Sequence, residues 1–138
     1  MIQGRVVVGG SARGALLVSD EPLSFWGGYD QRTGEIIDRR HPLSGDNAAR
    51  RVLAIPASRG SSTTSAVLLE AARNGTAPAA IITIGADPFL ALASIVAEEM
   101  FGRPVVMVAL DEPDFATLRT GAEVEVLPDG SIRFEADR

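Results

Sequence analysis

Val52-Leu53-Ala54-Ile55, Ala79-Ala80-Ile81-Ile82-Thr83-Ile84 and Val105-Val106-Met107-Val108-Ala109-Leu110 are the runs whose reading decides the fold. Each is continuously apolar rather than alternating, which is the pattern of a strand covered on both faces. Pro56 and the small polar stretch from Ala57 to Gly60 end the first run, Pro78 leads into the second, and Pro104 opens the third. Between the first two, Val67, Leu68, Ala71 and Ala72 fall on one helical face from Ser62 onward, and Asn74-Gly75 supplies a stop where left-handed backbone is tolerated. Between the second and third, Asp87-Pro88 reads as an N-cap followed by a first-turn proline. Leu90, Ala93, Ala97 and Met100 then keep helical spacing until Gly102 breaks it. Short loops and right-handed crossovers turn this order into a βαβαβ parallel core.

Working outward, β-like pieces flank the core at Ile2 to Val8, Gly14 to Val18, Glu35-Ile36-Ile37, Val124 to Leu127 and Ile132 to Phe134, the last two around a Pro128-Asp129-Gly130 turn. They predict a second β layer. The expected architecture is therefore α/β, a single three-layer β/β/α domain over residues 1–138. Residues 19–45 form a long glycine-rich functional loop rather than a linker. Asp111-Glu112-Pro113-Asp114 reads as an exposed turn.

Composition narrows the function. Formal net charge is -5 and the basic residues are scattered, so the electrostatic footprint of a nucleic-acid binder is missing. No apolar run approaches the roughly 20 residues that a membrane-spanning helix requires, and no basic-then-apolar leader opens the chain. A soluble, cytoplasmic protein with neither nucleic-acid nor membrane partners is expected. The chain has no cysteine, which excludes disulfides, thiolate catalysis and an iron–sulfur cluster held by its own thiolates. With one histidine, His41, a self-contained zinc site would have to be mostly carboxylate. All 13 basic residues are arginine, a bias that points to a GC-rich bacterial genome.

Two loops are placed for chemistry. Ser58-Arg59-Gly60-Ser61-Ser62 follows the first core strand, and ligands of open parallel sheets bind beyond the carboxyl ends of strands. Gly60 permits close backbone approach, Ser61 and Ser62 sit at a helix N-terminus whose N–H groups favour negative charge, and Arg59 adds a cation. The glycine-lysine pair of a P-loop is absent. The competing reading is that serine here only caps the helix. The second loop, Ser24-Phe25-Trp26-Gly27-Gly28-Tyr29-Asp30, gathers the only tryptophan, the only tyrosine and a double glycine. Phe25 and Trp26 either face a ligand or plug the core beneath the loop, and the sequence leaves both open. Asp38, Arg40 and His41 extend the loop with ionisable groups that a solvated turn explains equally well. A Ser61–His41 hydrolase dyad is a further alternative, weakened by the absence of G-x-S-x-G around Ser61.

Taken in order, four segments resemble one family. They are Glu21-Pro22-Leu23-Ser24-Phe25-Trp26-Gly27-Gly28, Thr33-Gly34-Glu35-Ile36-Ile37-Asp38, His41-Pro42-Leu43-Ser44-Gly45 and Arg59-Gly60-Ser61-Ser62. Their spacing resembles the small subunit of the aconitase X family, and the likeness continues through Ala77 to Ile82 and Gly102 to Val106. The resemblance implies a swivelling domain, equivalent to the mobile fourth domain of aconitases, that works with a large aconitase X subunit on a small carboxylate substrate. It implies that an iron–sulfur or iron centre sits on that large subunit, acting as Lewis acid on the leaving hydroxyl, with no cofactor bound by this chain alone. It further implies that Ser61 is the catalytic base of a dehydration. Ser62, Arg59, Gly60, Ser24, Phe25, Trp26, Gly27 and Gly28 then line the cleft. Two substrates go with such proteins, cis-3-hydroxy-L-proline in bacteria and phosphomevalonate in archaea, and the arginine bias favours the first. A non-catalytic ligand-binding swivel module is the rival class, because fold alone does not fix function.

Overall fold

A computed structural model of the chain describes residues 1–60 and 62–135. The three runs become β4 (Val52–Ala54), β5 (Ala80–Ile84) and β6 (Val106–Leu110), and the helices between them are α1 (Ser62–Asn74) and α2 (Pro88–Phe101). Before them come β1 (Ile2–Gln3), β2 (Arg5–Val8) and β3 (Ala12–Val18). After them come a short α3 (Glu112–Phe115), β7 (Glu123–Val126) and β8 (Ser131–Phe134). β4, β5 and β6 pair in parallel, as the βαβαβ reading requires.

β3 extends this parallel set and also leaves it. Its C-terminal half, Leu16 to Val18, pairs in parallel with β4, while Ala12 to Ala15 pairs antiparallel with β7. One strand thus belongs to two sheets. β8 and β1 continue the second sheet, giving the strand order β1-β8-β7-β3-β4-β5-β6-β2. The residues read as one piece, Ile2 to Val8, are divided at Gly4: β1 lies on β8 at one end of that order and β2 on β6 at the other. The N-terminal segment therefore ties both ends of the strand order together.

Burial follows the two-faced pattern. Leu17, Leu53, Ile81 and Met107 face α1 and α2, packing with Val67, Leu68, Ala71, Leu90 and Ala93. Their neighbours Leu16, Val52, Ala54, Ala80, Ile82, Val106 and Val108 face the second sheet, packing with Val124, Val126 and Ile132. These are the layers β, β and α. At about 25 cal/mol per Å² of apolar surface buried, two separate cores explain why the runs had to be apolar on both faces.

Two local expectations change. Residues 111–114 are exposed, as expected, but open α3 rather than a simple turn, because a proline at its start and acidic residues in its first turn suit a helix as well as a turn. Burial of Phe115 and Leu118 in the inter-sheet core holds it there. Residues 35–37 form no strand of their own. Ile36 and Glu35 make isolated bridges to Tyr29 and Asn47 within the long loop.

A candidate active-site cleft between two loops

β3 and β4 are neighbouring parallel strands, so the segments that leave their carboxyl ends start side by side. They stay together. Ser19 N–H donates to the Ala54 carbonyl, Leu23 N–H to the Ala57 carbonyl at 3.2 Å, and Arg59 N–H to the Leu23 carbonyl at 2.9 Å. A parallel bridge pairs Leu23 with Ser58. The two loops that the sequence marks separately are therefore one continuous surface.

The long loop is held from below. Leu23, Phe25, Tyr29, Ile36, Leu43 and Ala48 are buried in the helix-side core. Phe25 stacks on Tyr29 with ring centroids 5.2 Å apart. The Tyr29 hydroxyl donates to the Thr76 carbonyl at 2.7 Å, and burial pushes this phenol well above the ordinary tyrosine range. At Gly28 a Cβ would collide with the Ser24 carbonyl, so the tight turn after Trp26 accepts only glycine. Gly60, at φ +124, likewise has a backbone that side chains rarely adopt.

Adjacent aromatics take opposite sides. Trp26 is 68% exposed, whereas Phe25 is 0% exposed. The expectation that Phe25 lines the cleft is corrected: its ring fills the core beneath, because a turn at Gly27-Gly28 leaves one aromatic for each side. Ser24, Trp26, Gly27, Gly28 and Arg59 do share the lining of one cleft of about 390 Å³. Glu21, Pro22, Asp38, Arg40 and His41 complete it. A second hollow of about 400 Å³, beside Phe115 and Leu118, is mostly apolar and takes none of these residues. The expectations on Ser61, and on the side chain of Ser62, lie outside the described residues.

His41 is structural. Its Nδ1 accepts from Leu43 N–H at 3.1 Å, which puts the proton of the neutral ring on Nε2, 3.3 Å from the Glu21 carbonyl. It closes the loop onto its own start, and it keeps no lone pair for a serine hydroxyl, so the dyad alternative loses its base. The cleft is electrostatically mixed. Arg40 and Arg59 form no ion pair among the described residues, and Glu21 and Asp38 supply two carboxylates. Asp38 also accepts from Arg40 N–H at 3.0 Å, fixing the turn.

Residues fit to hold an iron or iron–sulfur group are not found here. The cleft offers no thiolate and no free histidine nitrogen. Among the described residues, no group of three or more His, Cys, Asp or Glu is arranged to hold a metal ion. No helix among them is long and apolar enough to cross a membrane.

Sequence reasoning missed one residue of the site's framework. The Asp87-Pro88 pair marks the α2 cap, and Asp87 is that cap, but it also bonds Ser58 in the β4–α1 loop. The cap motif Asp-Pro gave half of that role, and no sequence signal gives the other half.

Comparison with known proteins places this geometry in company. Residues 1–134 match the family model described as the aconitase X swivel domain. The chain is 54% identical over 112 residues to the cis-3-hydroxy-L-proline dehydratase of Pseudomonas aeruginosa, covering 81% of this chain and 19% of that protein. It is 46% identical over 134 residues to the phosphomevalonate dehydratase small subunit of Methanothermobacter thermautotrophicus, covering 94% of this chain and 96% of that one. The chain thus spans about a fifth of the length of the first relative and nearly all of the second. Its fold superposes on the crystal structure of Thermococcus kodakaraensis aconitase X in holo form, with a TM-score of 0.85, 35% identity and 97% of each chain covered.

Proposed function

The chain belongs to the aconitase X swivel domain family, and from that premise we propose that it is the swivelling component of a hydro-lyase that dehydrates cis-3-hydroxy-L-proline, with Ser61 as proton acceptor. What supports this reading most is the 54% identity to a dehydratase named for that substrate. The cleft agrees with it chemically. Its wall balances Arg40 and Arg59 against Glu21 and Asp38, which suits a zwitterion: guanidinium for the carboxylate, carboxylate for the ring ammonium.

In the reaction, a proton next to the carboxylate passes to the base, the neighbouring carbon loses its hydroxyl, and water is the by-product. Ser61 directly precedes α1, whose N-terminal N–H groups and dipole favour negative charge, and Arg59 beside it adds a cation. Both are needed, because a free serine hydroxyl is far too weak an acid to act as an alkoxide near neutral pH. The backbone of Arg59 is fixed by its bond to Leu23. Trp26 offers an exposed aromatic face over the cleft.

The proposal includes a large aconitase X subunit that carries the iron–sulfur or iron centre, and a cytoplasmic location. Phe89, Leu92, Ile95 and Met100 expose large apolar side chains along α2, a stripe suited to a protein partner. A second reading, phosphomevalonate dehydratase, is favoured by the guanidiniums of Arg40 and Arg59, which form no ion pair among the described residues. A phosphate carries about −2 at neutral pH and takes arginine in bidentate fashion.

The test is reconstitution. The chain alone should bind no iron and turn over nothing. With its large subunit it should release water from cis-3-hydroxy-L-proline and leave phosphomevalonate untouched. The reverse preference would establish the second reading. Normal turnover by the chain alone would refute the two-component account, and ligand binding without turnover by the complete assembly would favour a non-catalytic module.

A further inference from the structure

We infer that Asp87 is the positioning residue of the β4–α1 loop. The inference rests on the reading of Ser61 as proton acceptor. A helix cap needs one carboxylate oxygen, and Asp87 uses Oδ1 for that, accepting from Phe89 N–H at 3.1 Å and Leu90 N–H at 3.2 Å. Its Oδ2 does something else. It accepts from both the backbone N–H and the hydroxyl of Ser58, each at 2.7 Å. All four donors converge on one carboxylate that is only 9% exposed, where an unmade bond is costly.

The consequence lies in what Ser58 is joined to. It pairs with Leu23 in the bridge that holds the two loops together, and it stands three residues before Ser61 in the chain. Asp87 therefore fastens the start of the Ser58-to-Ser61 segment to the rigid N-terminus of α2. A proton acceptor must be held within a fraction of an ångström of its productive place, and a displacement of about 1 Å can reduce rate on the order of a hundredfold. Asp87 acts through the loop and need not touch the substrate.

Asp87→Asn separates the two oxygens' tasks. Asparagine caps helices as well as aspartate does, so one side of the group is preserved. The other side then presents an amide N–H to the Ser58 backbone N–H, donor against donor, and the Ser58 hydroxyl keeps a bond only by turning round to accept. In the enzyme assembled with its large subunit, kcat should fall roughly tenfold to a hundredfold, with KM within about twofold. The Ser58 amide should exchange its hydrogen faster. Ser58→Ala, which removes only the hydroxyl bond, should show a smaller fall in kcat. The double variant should be no slower than Asp87→Asn alone, because the bonds act as one unit.

A wild-type kcat in Asp87→Asn, or a loss confined to KM, overturns the inference while Ser61→Ala, measured alongside, decides the underlying reading separately. A Ser61→Ala enzyme that keeps its rate overturns both. If Asp87→Asn does not assemble, Ser58→Ala carries the test, and a wild-type kcat there overturns the inference.

Discussion

Replacing Phe25 by alanine should cost the fold far more than replacing its neighbour Trp26. Phe25 is fully buried, stacked on Tyr29 and packed into the core shared by α1, α2 and the central sheet. Truncating such a ring removes its transfer free energy and leaves a cavity, together about 3–5 kcal/mol. For a domain of this size that is a fall in Tm of roughly 10–20 °C. Trp26→Ala removes a side chain that is 68% exposed, so its effect should stay within about 0.5 kcal/mol. Urea titrations and thermal melts of the wild type and both variants give the comparison directly. The roles reverse in the assembled enzyme: Trp26→Ala should weaken substrate or partner binding, whereas Phe25→Ala should lose activity in step with the folded fraction. Equal destabilisation by the two changes, or a Phe25→Ala cost below about 1 kcal/mol, would refute the assignment of one ring to the core and the other to the cleft.

Two further outcomes follow from the same loop. Trp26 emission should shift when the large subunit or the substrate is added at saturation, and an unmoved spectrum would detach Trp26 from the cleft. Tyr29 is the chain's only tyrosine, and burial raises its pKa in the folded state. The folded chain therefore holds this proton more firmly than the unfolded chain. The associated stability is complete below about pH 10, the ordinary phenol value, and is lost above it at up to about 1.4 kcal/mol per pH unit. Tyr29→Phe should lose about 1 kcal/mol at neutral pH through the Thr76 bond but show no such alkaline decline. Tyrosinate absorbance appearing near pH 10 in the folded chain would contradict this.

The core was legible because its physics is local. Continuous apolar runs between prolines, a 3.6-residue stripe in α1, the Asp87-Pro88 start of α2 and the glycine stops are all properties of neighbouring residues. What escaped was tertiary. Ile2 to Val8 reads as one strand, yet which partner each half finds, β8 or β6, depends on strands more than 95 residues away in the chain. β3 shows the same limit, since nothing local in Ala12 to Val18 tells that its two halves pair with different sheets. Within the turn at Trp26-Gly27-Gly28 there is no period to read, so the sequence left Phe25 and Trp26 undivided. His41 looked like a candidate base only while its partners, the Glu21 carbonyl and the Leu43 N–H, were out of sight. Asp87 was half-read for the same reason.

The central claim is that Ser61 receives the proton, and the most direct measurement is steady-state turnover of the assembled enzyme carrying Ser61→Ala. Removing the hydroxyl takes away the acceptor and leaves most substrate contacts, so kcat should fall at least a hundredfold, as proton-transfer catalysis typically contributes about a hundredfold to ten-thousandfold, with KM little changed. Ser62→Ala, one residue further along the chain, should keep its rate. A residue that only caps α1 gives a different result, a loss on the order of 1 kcal/mol of stability with normal turnover. A Ser61→Ala enzyme that melts earlier yet keeps more than about a tenth of the wild-type kcat would contradict the account.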